Sequence, residues 1–249
     1  MKRTAILIAW SLFAWSLVAA STMAAEVRFT GEATGLDDDR AIYDERHVVE
    51  GECAAGLFRP GAQTVRYTRD GNREFAEKKL TYDDSVLRPT VEFRQPDFNE
   101  VMTITNLDDN ELQIEWQPPG GGTENHTVKV TEALVADAGF DHLVRAHWPE
   151  VTAGETVEFD FLAPTRGKAY GFVLEPAEDE RITAAHTVRI KPSGTILRFL
   201  VDPILLGYNE QGLLTDYIGL TNIRKDKDSN YTAHIRYRIE TVADCELTR

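Results

Sequence analysis

The stretch YTAHIRYRI, residues 231–239, alternates apolar and polar side chains at every position. Successive side chains of a strand point to opposite faces of the sheet, so this pattern predicts a strand with one buried and one solvated face. The apolar set is Tyr231, Ala233, Ile235, Tyr237 and Ile239. The polar set is Thr232, His234, Arg236 and Arg238.

The same alternation recurs along the chain, and turn-forming residues separate its occurrences. This arrangement predicts a mainly β protein with an antiparallel sheet that is wet on one face. A sheet of ten or so twisted strands curls, so we expect a large curved sheet or an open barrel in one domain, residues 26–249. The further stretches are VRFTGEA (27–33), ELQIEWQ (111–117), TVEFDF (156–161) and YGFVL (170–174).

The N-terminus has the three parts of a secretory signal peptide. Lys2 and Arg3 precede a 16-residue, mostly apolar run, 5–20, and small residues follow it. That run is shorter than the roughly 20 residues of a membrane span, so we expect cleavage rather than anchoring. Cleavage after Ala20, Ala24 or Ala25 fits the small residues there, and we favour Ala25. The short basic signal is typical of bacteria. It predicts a soluble protein of the periplasm that is not an integral membrane protein.

The charge of the chain narrows the class of partner. Its formal charge is −14, and loss of Lys2 and Arg3 with the signal would lower it to −16. Such an acidic surface repels nucleic acid and anionic lipid headgroups. We therefore expect no nucleic-acid partner. The sequence has no phosphate loop, paired-cysteine metal motif or nucleophile elbow, so we also expect no cofactor and no metal.

The chain has two cysteines, Cys53 and Cys245. An even count in an exported protein predicts a disulfide between them.

Two segments interrupt the strand rhythm. Asp137 is placed to cap a helix over 138–148, which Pro149 would end. Asp202 and Pro203 would start a short apolar turn over 203–207. The apolar stripe of the helix should face the concave side of the sheet, either as plain core or as a lid over a ligand cavity. The candidate ligand-facing residues are Phe140, Leu143, Val144, Trp148, Leu205 and Leu206.

A second candidate site is polar. In RAIYDERHVVE, alternation places Tyr43, Glu45 and His47 on one face, and Lys78 follows on the same face of a neighbouring strand. A buried lysine must be paired or bind an anion. The four residues could form an inner acid–base cluster. The alternative is a structural Glu–Lys pair at the rim of the sheet, with an exposed histidine.

The segments YDERH, YTRDGNREFAEKKLTY, DAGFDHLVRAHW and YIGLTNI resemble an uncharacterised group of exported proteins of Gram-negative bacteria. The architecture resembles the lipoprotein-carrier fold, an open antiparallel half-barrel that wraps a helix and accepts acyl chains. This resemblance implies a fold and assigns no binding residues.

Our first hypothesis is a protein that binds or carries an apolar or acyl ligand in its curved sheet. The alternative is a periplasmic enzyme in which Glu45 and His47 act as acid and base and Lys78 steadies an anion. A third possibility is a structural partner in a complex of the cell envelope.

Overall fold

The computed structural model describes residues 23–194 and 202–248. The predicted signal peptide lies outside these residues except for Met23–Ala25, which begin the first strand. The strands are β1 (Met23–Gly35), β2 (Ala41–Ala54), β3 (Leu57–Arg69), β4 (Arg73–Thr81), β5 (Thr90–Gln95), β6 (Glu100–Leu107), β7 (Glu111–Gln117), β8 (Glu124–Lys129), β9 (Leu134–Val135), β10 (Val157–Ala163), β11 (Lys168–Pro176), β12 (His186–Pro192), β13 (Ile204–Tyr208), β14 (Leu214–Arg224) and β15 (Asn230–Thr241). The helices are α1 (Gly139–Ala146) and α2 (Trp148–Thr152), and short 3-10 turns cover Pro96–Phe98 and Pro164–Arg166.

The fifteen strands of the described residues belong to one sheet, in the order β8-β7-β6-β5-β4-β3-β2-β1-β15-β14-β13-β12-β11-β10-β9. Every neighbouring pair is antiparallel except β9 with β10. The first and last strands pair with each other in the middle of the sheet. The predicted fold class, one large open antiparallel sheet, is confirmed.

The sheet curls strongly, which brings distant strands together. Arg224, on β14, donates to both carboxylate oxygens of Glu100, on β6, at 2.7 Å each. Six strands separate β6 from β14 in the sheet order. Trp116 adds a hydrogen bond to the same carboxylate at 2.9 Å. The two halves of the sheet therefore face each other across a concave interior.

The predicted single helix is two helices. α1 ends at Ala146, and α2 begins at Trp148 with Pro149 in its first turn, where proline needs no N–H donor. Pro149 therefore starts a helix rather than ending one. Asp137 does not cap α1 either. The N-cap is Ala138, and the Asp137 backbone has a left-handed φ of 45°.

The predicted turn over 203–207 is instead part of a strand, β13, from Ile204 to Tyr208. Short apolar runs do not distinguish helix from strand by periodicity alone. Here β12 and β14 lie on either side and pair with the run. Tertiary pairing decides the conformation.

His234 is buried, although its position in YTAHIRYRI predicts a solvated residue. Its Nε2 lies 2.8 Å from Oδ1 of Asp216, and the side chain of His234 is 4% exposed. Ile182, in the connection between β11 and β12, is buried and lies over Gly207 on this same convex face. The connection covers part of the face that alternation assigns to solvent.

Cys53 and Cys245 form the predicted disulfide, with their Cα atoms 5.9 Å apart. The bond holds the C-terminal tail against the turn between β2 and β3. Phe58 N donates to the Glu246 carbonyl at 2.8 Å, and Glu246 N donates to the Gly56 carbonyl at 3.0 Å. Leu247 is buried in a small apolar cluster there.

Candidate functional site

Glu45 and His47 are in contact on the concave face of β2. Alternation along the strand turns both side chains inward, and both residues are buried. His47 Nε2 lies 2.8 Å from Glu45 Oε2. The Phe29 ring stacks on the imidazole, with centroids 4.2 Å apart and planes at 13°. The pair is therefore fixed in position inside the sheet, and His47 is not the exposed histidine of the alternative interpretation.

Two further residues, which were not predicted from the sequence, extend this pair. Gln63, on β3, places its Nε2 3.2 Å from Nδ1 of His47. The Tyr82 hydroxyl donates to Gln63 Oε1 at 2.6 Å. Both ring nitrogens of His47 are thus engaged, and this orients the imidazole. Alternation places Gln63 on the same face as Val65, which was the available signal.

Tyr237 reaches Glu45 across a whole strand. It lies on β15, and β1 runs between β15 and β2, with Gly31 paired to Tyr237 on one side and to Glu45 on the other. A Cβ at Gly31 would lie 2.7 Å from Cε1 of the Tyr237 ring. Because this Cβ is absent, the ring can cross β1, and its hydroxyl donates to Glu45 Oε2 at 3.1 Å.

A ring of tyrosines surrounds the Glu45 carboxylate. Burial raises the pKa of each phenol, and the negative charge of Glu45 raises it further. The phenols are therefore neutral at physiological pH, and each can donate a proton in a hydrogen bond. The four residues are Tyr43, Tyr67, Tyr217 and Tyr237.

Lys78 does not join Glu45 and His47. Lys78 lies on β4 and pairs with Val65 on β3, and Val65 pairs in turn with His47 on β2. Val65 therefore lies between Lys78 and His47. Its Nζ donates to both carboxylate oxygens of Asp137, at 2.9 and 2.8 Å. The lysine is paired, as its burial requires, but its partner comes from the segment that precedes α1. The proposed four-residue cluster is therefore two separate sites.

The polar face of α1 also turns inward. Arg145 Nη2 lies 2.6 Å from Asp141 Oδ2, and the Tyr208 hydroxyl donates to Asp141 Oδ1 at 3.1 Å. Burial raises the pKa of Asp141, although Arg145 opposes this shift. His142 lies edge-on to Tyr82, and burial lowers its pKa to about 3. His142 is therefore neutral at physiological pH.

The apolar face of α1 packs against the C-terminal half of the sheet. Leu143, Val144 and Trp148 share one buried cluster with Leu206 and strands β10 to β14. Leu205 is the next residue on β13, so its side chain points to the opposite face. Leu205 and Leu206 therefore cannot line the same cavity.

Beside this buried cluster lies a set of apolar side chains that pack against it but keep partial exposure. We call this set the aromatic patch. The rings of Phe161 and Phe172 are 6.0 Å apart, and that of Phe140 is 6.3 Å from Tyr217. The patch consists of Phe140, Phe161, Phe172, Ile204 and Tyr217.

Within residues 23–194 and 202–248, no group of three or more His, Cys, Asp or Glu side chains is placed to hold a metal ion. No helix in that part of the chain is long and apolar enough to cross a membrane.

No protein-family model and no curated protein matches the chain. Its structure is similar to a β-barrel-like protein of the domain of unknown function DUF1849 from Brucella abortus, with a TM-score of 0.38 and 10% identity over 89% of this chain and 96% of that one. It is also similar to a putative outer membrane lipoprotein-sorting protein domain from Vibrio parahaemolyticus, with a TM-score of 0.29 and 8% identity over 89% and 85% of the two chains. At these low TM-scores neither neighbour supports an argument about ligand or activity.

Proposed function

We propose that this chain is an exported binding protein that holds an apolar or acyl ligand on the concave face of its sheet, against α1. The observation that carries this proposal is the aromatic patch. Its five side chains adjoin a buried cluster in which Leu206 and Val144 are fully buried, yet the patch keeps part of its surface exposed.

Exposed apolar surface costs roughly 25 cal/mol for each Å² that is left in contact with water. Grouped aromatic rings on an inner face are typical of a site that a ligand completes. The helix adds to this argument because its apolar face is already used by the sheet. A ligand would therefore lie beside α1, on the patch, rather than between α1 and the buried cluster.

Binding of N-phenylnaphthylamine, a neutral dye that fluoresces in apolar sites, tests the proposal, with decanol as the competitor. We expect the dye to bind and decanol to displace it. Phe172→Ala and Ile204→Ala should each weaken decanol about fivefold to tenfold, since each removes about 1–1.4 kcal/mol of apolar contact. Leu220→Ala is the matched control because Leu220 is 56% exposed on the opposite face of β14. Equal effects of patch and control variants, or no dye binding, would contradict the proposal.

The native ligand can be sought directly. Protein purified from its own periplasm should carry a bound species in native mass spectrometry, and solvent extraction should release it. Release by osmotic shock of a chain that lacks about the first 25 residues would support export. Retention with the membrane fraction after a salt wash would count against it.

The contact between Glu45 and His47 favours a second candidate, an enzyme with this pair as acid and base. Lys78 forms an ion pair with Asp137, so this enzyme would lack the predicted group that stabilises an anion. Incubation of the extracted ligand with the protein separates the two functions. A carrier returns the ligand at unchanged mass, whereas an enzyme changes the mass and Glu45→Gln abolishes the change.

A further inference from the structure

The Glu45 carboxylate uses only one of its two oxygens. His47 and Tyr237 both bind Oε2, and no donor in the described ranges binds Oε1. Oε1 is not among the fully enclosed side-chain atoms of the described residues that lack a partner, so it stays accessible from outside the protein. An accessible carboxylate oxygen without a protein donor can accept a hydrogen bond from a ligand.

The Tyr43 hydroxyl is the second open group. Tyr43 is 3% exposed, and among the described residues its hydroxyl has no hydrogen-bond partner. Glu45 and Thr221 both lie close enough to act on the pKa of its phenol, but neither meets the geometry of a full hydrogen bond. A buried polar atom without a partner destabilises the fold, so a group that binds Tyr43 and Glu45 together would recover that free energy.

The charges around this position favour a cation. Lys78 pairs with Asp137, and Arg145 pairs with Asp141, so these inner charges cancel. Glu45 has no lysine or arginine partner within the described part of the chain, and its one ion-pair contact there is with His47. The aromatic rings of the four surrounding tyrosines also favour a cation, because the faces of their π-systems carry partial negative charge.

We propose that Glu45 and Tyr43 bind the primary ammonium group of an amphiphile whose apolar chain lies on the aromatic patch. This inference rests on the proposed function and adds a head group to the ligand. An ammonium has three donors and no acceptor, so it can donate to Glu45 Oε1 and to the Tyr43 hydroxyl oxygen together. A carboxylate head group would be repelled by Glu45.

The head-group position and the patch are continuous. Tyr217 belongs to the aromatic patch, and it also lies close enough to Glu45 for that charge to act on its phenol. Tyr237 packs against the same apolar cluster and donates to Glu45. One molecule can therefore contact the patch with its chain and Glu45 with its head.

Three probes with the same chain separate head group from chain, namely decylamine, decanol and decanoate. Each competes with N-phenylnaphthylamine for wild-type protein at pH 7, where the amine is charged. We expect decylamine to bind about tenfold more tightly than decanol, because one hydrogen bond to a charged group contributes about 1.5 kcal/mol. Decanoate should bind most weakly.

Glu45→Gln should remove the advantage of decylamine and leave decanol unchanged within about twofold. Tyr43→Phe should lower the advantage without removing it. Glu50→Gln is the matched control, since Glu50 lies on the same strand but is exposed. Circular dichroism establishes that each variant is folded. If Glu45→Gln does not fold, the test rests on Tyr43→Phe and on the order in which decylamine, decanol and decanoate bind the wild-type protein.

The outcomes separate this inference from the proposed function. If decanol binds but decylamine binds no more tightly, or if Glu45→Gln keeps the preference, the ammonium site is overturned and the carrier stands. If decanoate binds most tightly, the ammonium site is likewise overturned. If none of the three probes binds, the carrier and the ammonium site are overturned together.

Discussion

Gly31 shows how one residue determines the geometry of the interior. Its missing side chain lets the Tyr237 ring cross β1 to Glu45. We predict that Gly31→Ala destabilises the fold by about 1–3 kcal/mol through overpacking and separates Tyr237 from Glu45. Urea unfolding measures the loss. Gly61→Ala is the control, because a Cβ there would lie 3.7 Å from its nearest neighbour, the Glu50 carbonyl oxygen. Similar losses in both variants would contradict this steric explanation.

Single residues of the site were predictable where strand alternation alone decides their position. Glu45 and His47 lie two apart on a strand, so the pattern places them on one face. Alternation gives the face of Gln63 but not its contact with His47, and the partners Asp137 and Tyr237 could not be predicted in the same way. They come from other strands or from the segment before α1, and register and side-chain reach, which decide those contacts, leave no local pattern.

At the scale of elements, the helical segment makes two different contributions. Trp148 is 8% exposed and lies edge-on to His186 and Tyr208, whereas Phe140 is only partly buried. We predict that Trp148→Ala costs about 3–5 kcal/mol of unfolding free energy, because it leaves a cavity. Phe140→Ala should cost about 1–2 kcal/mol, because less surface is lost from contact. Urea unfolding of both variants checks the difference.

The same pair of variants bears on binding. Phe140→Ala should weaken displacement of the dye by decanol more than Trp148→Ala does, because Phe140 belongs to the patch. Equal stability losses of about 3–5 kcal/mol, with no change in binding, would identify the whole helical segment as plain core.

The elements themselves were predictable to different degrees. Long alternating runs such as β15 are strands in the structure because their pattern has enough residues to be unambiguous. β13 has five residues, and its neighbours in the sheet decide its conformation. The break between α1 and α2 follows from Pro149, which can begin a helix as well as end one.

At the scale of the whole molecule, the disulfide joins residues 192 positions apart. We predict that Cys53→Ser with Cys245→Ser lowers the unfolding free energy by about 2–5 kcal/mol. Hydrogen exchange should rise first in the C-terminal tail and in the β13–β14 turn, where Gly212 lies against Thr248. Mass spectrometry of an unreduced digest should show the linked peptides. Two free thiols in the purified protein would contradict the bond.

The pairing of β1 with β15 has a consequence for how the molecule forms. The chain is synthesised from its N-terminus, so β1 is made first and can at first pair only with β2. The other edge of β1 stays open until residues 230–241 have been synthesised. Such a topology has a high contact order, so folding is slow and completes only after translation has nearly ended. Throughout that delay the nascent chain presents an unpaired strand edge, the kind of surface on which aggregation begins and that chaperones protect.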